Sequence, residues 1–115
     1  MRLYDFLASG NGYKVRLLLT QLEIQSERIE LNILKGETRT PEFLRKNPNG
    51  RIPLLEIEPG KYLAESNAIL FYLADRTPFL SCDSWLRAET LQWLFLEQYS
   101  HEPNIATSRF WLAGC

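Results

Sequence analysis

Ser9-Gly10-Asn11-Gly12 places a hydroxyl and an amide between an apolar run and the start of a helical pattern. In a βα unit that position lies at the carboxyl end of the sheet, where ligands tend to bind. The helix start adds unpaired N–H groups and about half an elementary positive charge. A thiol brought there is pushed toward thiolate from an ordinary pKa of about 8.5. The Ser9 hydroxyl, the Asn11 amide or a backbone N–H can donate to such a sulfur; read alone, the same residues make a turn and a cap. Glu65-Ser66 opens a second helical pattern. A helix start capped by Ser66 suits a carboxylate and Glu65 beside it an ammonium, although an ordinary capped helix reads the same way. Ile52-Pro53 puts a residue without a ladder donor at the start of a strand. A cis bond there would turn the Ile52 N–H and C=O outward, and an extended peptide could pair with them as an added strand. His101 is the single histidine, and Cys82 and Cys115 read as free thiols without an implied role. No metal-ligand spacing occurs.

The elements that must position these groups follow from periodicity. Leu3, Tyr4, Phe6 and Leu7 predict a buried strand that stops at Ala8-Ser9-Gly10. Val15, Leu18, Leu19 and Leu22 recur at helical spacing, so a helix starts near Asn11. Glu27 to Ile33 alternates, with Ile29, Leu31 and Ile33 on one side, which predicts a second strand. Strand, helix, strand in this length is a βαβ unit with parallel strands and a right-handed crossover. Lys35 to Thr40 reads as a solvated loop holding Thr38 and Arg39. Thr40-Pro41-Glu42 opens a short helix anchored by Phe43 and Leu44, which Asn47-Pro48-Asn49-Gly50 ends. Leu54 to Ile57 and Tyr62 to Ala64 form an antiparallel hairpin around Glu58-Pro59-Gly60-Lys61. Ser66 then caps a helix with Ile69, Leu70, Leu73 and Ala74 inward. The fold class is α/β: βαβ, short helix, ββα, a four-stranded mixed sheet with packed helices, followed by a partial all-α segment.

The chain has 115 residues, 45% of them hydrophobic and 23% charged, in the range of a globular protein. Thirteen basic and fourteen acidic side chains leave a formal charge of -1, so an electrostatic role on nucleic acid or a polybasic role on membranes has little support. No apolar stretch approaches a membrane span, the N-terminus lacks a signal-like apolar core, and cytoplasm is the default compartment. Residues 1–80 carry 11 basic and 10 acidic side chains, and residues 81–115 only 2 and 4 but 6 aromatics. The reading is a domain over 1–78, a linker over 79–84, and from 85 to 115 the start of a helical domain whose remainder is absent. Asp83 or Ser84 caps that last helix, and Pro103 should kink or end it. Its large side chains fall on nearly every side, which calls for cover all round and points to a homodimer.

Together, Ser9-Gly10-Asn11-Gly12, Arg51-Ile52-Pro53-Leu54-Leu55 and Glu65-Ser66-Asn67-Ala68-Ile69-Leu70 resemble the thioredoxin-like N-terminal domain of glutathione S-transferases. Asn47-Pro48-Asn49-Gly50 fits the same pattern. Trp93 to Pro103 looks like the first helix of that family's C-terminal domain, in bacterial members especially. The resemblance implies that the sulfur at Ser9 and Asn11 belongs to glutathione as co-substrate, with no metal. It implies that Ile52-Pro53 is cis and pairs with the tripeptide's cysteine, and that Glu65 and Ser66 take its γ-glutamyl end. Thr38 and Arg39 fall where the family contacts the glycine end. Tyr13 offers a phenol that some branches use, and is the less favoured choice here. The absence of Cys-x-x-Cys excludes a protein dithiol at this turn. The implied activity of a full-length form is attack of the glutathione thiolate on an electrophile, not identified, or on a disulfide. The alternative is a catalytically deficient truncated domain that serves as a glutathione-binding or dimerisation module.

Overall fold

The computed structural model describes residues 1–113 and divides them into two compact units, Met1–Leu73 and a second one beginning at Ala74. The first unit holds β1 (Arg2–Asp5), α1 (Gly10–Gln21), β2 (Glu27–Glu30), α2 (Pro41–Lys46), β3 (Leu54–Glu58), β4 (Lys61–Ala64) and most of α3 (Ser66–Ala74). The sheet order is β2-β1-β3-β4. β1 and β2 are parallel, as the βαβ reading requires, and β1–β3 and β3–β4 are antiparallel. This is the four-stranded mixed sheet that the sequence predicts.

Alternation along the strands gives the sheet two different faces. Tyr4, Ile29, Leu31, Leu54, Tyr62 and Ala64 gather with Phe43 of α2 in one apolar cluster. Phe43 meets the Tyr4 ring edge-on at 6.0 Å. Lys46 of α2 sits over the same ring and donates to its hydroxyl at 3.1 Å. Leu3, Leu55 and Asp5 point the other way and are fully buried. Val15, Leu18 and Leu19 form the buried stripe of α1, and Ile69, Leu73 and Ala74 that of α3. Leu22 and Leu70, expected inside, are only partly buried.

Four elements depart from expectation. β1 ends at Asp5, before Phe6 and Leu7, and Leu7 is exposed. β2 stops at Glu30, not Ile33, because the Asn32 side chain accepts the Leu34 and Lys35 N–H groups and starts a 3-10 turn at Ile33. The predicted loop over Lys35–Thr40 is mostly two such turns, Ile33–Lys35 and Glu37–Arg39, joined at Gly36 with φ 74°. Ser66 is the first residue of α3 and not the residue before it. The Glu65 carbonyl accepts the first helical N–H, that of Ile69, at 2.9 Å.

In the second unit α4 spans Ser84–Leu96 and α5 spans Glu102–Ala113. The structure chooses Asp83 over Ser84 as the cap of α4; its carboxylate accepts the Leu86 N–H at 3.0 Å. Pro103 does not end the helix. A π-helical stretch, Glu97–His101, carries the chain into α5, where Pro103 is the second residue. The wider turn relieves the steric demand of a proline ring inside a helix. No residue of α4 or α5 is buried. Among the described residues, no helix is long and apolar enough to cross a membrane.

Candidate functional site

The strand registers set the end of β1, the start of β3 and the end of β4 together at one end of the sheet. β1 ends at Asp5 and hands the chain to the Leu7–Ser9 turn. Tyr4 pairs with Leu54, and Leu54 pairs with Ala64. Ile52-Pro53 precedes β3, the Leu7–Ser9 turn follows β1 and Glu65-Ser66 follows β4, so the three segments leave the sheet at that end. The Ile52–Pro53 peptide is cis.

Ser9 is the cap of α1, with extended backbone at φ -74° and ψ 127°. Its hydroxyl oxygen accepts the Gly12 N–H at 3.1 Å, which leaves the hydroxyl proton for another acceptor. Asn11 lies in the first turn, and its Oδ1 accepts from the Ser66 hydroxyl at 3.4 Å. That contact joins the starts of α1 and α3, two helix N-termini with positive dipole ends, side by side. Ser66 is buried while Glu65 is exposed. Glu65 has φ 72°, in the left-handed region that costs a side chain with Cβ about 1–2 kcal/mol. Strain of this kind collects at sites where a side chain must point a particular way.

Thr38 and Arg39 lie in a 3-10 turn and differ in exposure: Arg39 is exposed, as a solvated segment requires, and Thr38 is not. Thr38 is buried in the second 3-10 turn. Gly50, at φ 62°, packs against them so closely that a Cβ there would stand 2.9 Å from the Thr38 carbonyl oxygen. Tyr13 is more than half exposed, with the Arg16 guanidinium over its ring at 5.8 Å. Cys82 is a free, exposed thiol. Cys115 lies outside the described residues. Among the described residues no group of three or more His, Cys, Asp and Glu side chains could hold a metal ion.

One constituent, Asp5, is absent from the sequence-predicted groups. Asp5 is completely buried, and its carboxylate bonds to the Arg16 and Arg28 guanidiniums. Its other oxygen, Oδ1, lies against Gly12, where an added Cβ would come within 1.8 Å. A strand ending in an acid, followed by glycine seven residues on, is the signal that was there to be read.

Residues 1–75 match the model of the glutathione S-transferase N-terminal domain. The disulfide-bond oxidoreductase YfcG of Escherichia coli is 42% identical over 97 residues, 78% of this chain and 45% of that protein. A possible glutathione S-transferase from Rhodopseudomonas palustris superposes with a TM-score of 0.93 at 55% identity, over 96% of this chain and 54% of that one. The structure of Ure2p in complex with glutathione superposes with a TM-score of 0.83 at 32% identity, over 91% of this chain and 47% of that one. The chain therefore belongs to the glutathione S-transferase family, through its N-terminal domain. It spans about half the length of these relatives.

Proposed function

We propose that this chain binds glutathione at the end of the sheet where α1 and α3 begin, and that it supplies the thiol-activating half of a glutathione transferase. The Ser66–Asn11 contact carries this reading, because it sets two helix N-termini beside each other. The start of α3 accepts the γ-glutamyl carboxylate, and the left-handed Glu65 offers its carboxylate to the ammonium. The Ile52 backbone pairs with the cysteine of the tripeptide, beside Pro53. Thr38 and Arg39 stand toward its glycine end.

The sulfur then falls at the start of α1. Ser9 donates its hydroxyl proton to the thiolate, and the α1 dipole favours the charged form. The thiol proton leaves to solvent. In a full-length form the thiolate attacks an electrophilic carbon, forming a C–S bond as the leaving group departs. With a disulfide it forms a mixed disulfide and releases the second sulfur as thiolate. The Ure2p–glutathione complex and the family match support glutathione as the ligand. The Escherichia coli oxidoreductase favours a disulfide as one acceptor class.

Calorimetry on the chain with glutathione tests the reading. Saturable binding is expected, weakened at least about tenfold by Glu65→Ala, consistent with loss of a charge-assisted contact. No heat at millimolar glutathione would overturn it and leave the module reading, a helical surface for self-association, in its place.

A further inference from the structure

The Leu7 peptide is held from both sides by charged side chains outside the proposed ligand site. Its N–H donates to Glu30 Oε1 at 3.0 Å, and its C=O accepts from the Arg16 guanidinium at 3.0 Å. The two side chains belong to different elements, β2 and α1. They are joined again below the turn, since Arg16 and Arg28 both reach the buried Asp5 carboxylate and Arg28 also bonds Glu30. The register explains the convergence. Asp5 pairs with Glu30 and Leu3 with Arg28, so all four side chains project from one face of the sheet toward α1. The result is a closed ring, Asp5–Arg16–Leu7–Glu30–Arg28, around the base of the β1–α1 turn.

Isolated surface ion pairs contribute little. This ring differs because one member is fully buried and two of its bonds end on the backbone of a loop. Leu7 itself is largely exposed, so packing holds it less than these bonds do. Two residues later the chain reaches Ser9, whose N–H donates to the Phe6 carbonyl at 2.8 Å and whose carbonyl receives the Tyr13 N–H at 2.9 Å.

From this geometry we infer that Glu30 and Arg16 are positioning residues: by clamping the Leu7 peptide they fix the turn that presents Ser9 and Asn11. The consequence for thiol activation rests on the glutathione reading above; the consequence for the turn does not. Amide hydrogen exchange separates the two. Glu30→Ala should speed exchange of the Ser9, Gly12 and Tyr13 amides at least about tenfold, a local opening, while the core amides of Leu55 and Ile69 change far less. Glu30→Gln keeps an acceptor for the Leu7 N–H and should restore protection at the turn. Equal acceleration at turn and core, or none at the turn, or no rescue by glutamine, would overturn the inference. With glutathione added, Glu30→Ala should also raise the pKa of the bound thiol, with Glu30→Gln close to the unmodified protein. If the unmodified chain takes up no glutathione, the proposed function falls and the exchange result still decides the clamp.

Discussion

Ser9 and Asn11 stand at the start of α1 with different hydrogen-bond partners. Ser9 spends its oxygen on the Gly12 N–H and keeps its proton, whereas Asn11 spends its carbonyl oxygen on Ser66. Ser9→Ala should therefore raise the pKa of bound glutathione by about one unit or more, read as thiolate absorbance against pH, and Asn11→Ala should raise it less. A larger effect at Asn11 would exchange their roles. Loss of the Ser9 cap should also cost about 1 kcal/mol of stability in denaturant unfolding. Gly12→Ala is a harsher change, because its Cβ meets Asp5 Oδ1 at 1.8 Å. It should destabilise by about 1–3 kcal/mol, seen as a lower unfolding midpoint. Two glutamates add a pH dependence. Hydrogen bonding from the Leu7 N–H, then Arg28, holds Glu30 below the usual carboxylate range. The Gly60 N–H, then Tyr62 and Arg2, do the same for Glu56. A carboxyl whose folded pKa is depressed contributes stability above its unfolded value of about 4.3, and loses it as pH falls through the lower folded value. The acid-side fall of the denaturation midpoint should be shallower in Glu56→Gln than in the unmodified protein.

At the scale of elements the corner between β4 and α3 carries the clearest prediction. Glycine tolerates the left-handed conformation of Glu65 without a Cβ penalty. Glu65→Gly should thus stabilise the fold by about 1 kcal/mol while weakening glutathione binding. A variant that gains neither stability nor a binding defect would show that Glu65 has no special task. Most elements were legible because one physical signal dominated each. The helical spacing of Val15, Leu18 and Leu19 found α1, and the Pro59-Gly60 turn found the hairpin. β2 was overextended because Ile33 continues the alternation, while the competing signal is a single side-chain cap at Asn32. A ring clash at Pro103 is a local rule that allows either a kink or an end, and the π-helical stretch that carries the chain past it leaves no mark in sequence. The grouping of Ser9, Ile52 and Ser66 depends on strand order, which spacing alone does not contain. Asp5 was missed because a charged residue at a strand end reads as exposed until its two arginine partners are placed.

On the scale of the molecule, the second unit sets the terms. Trp85, Trp93, Phe95, Tyr99, Trp111 and Leu112 are all more than half exposed. Apolar side chains in that number drive association in water. The purified chain should therefore form dimers or larger species whose proportion rises across a concentration series in sedimentation velocity. Trp93→Glu with Phe95→Lys should shift it toward monomer. A monomer at every concentration would count against a homodimer.

The contact between Asp5 and Gly12 also limits what chemistry could be built into this turn. Positions 9 and 12 have the spacing of a Cys-x-x-Cys pair. Serine to cysteine at the first is a single isosteric step, but at the second any β-carbon collides with a carboxylate that two arginines hold in place. Building an internal dithiol at this turn would therefore require rebuilding the salt-bridged floor beneath it.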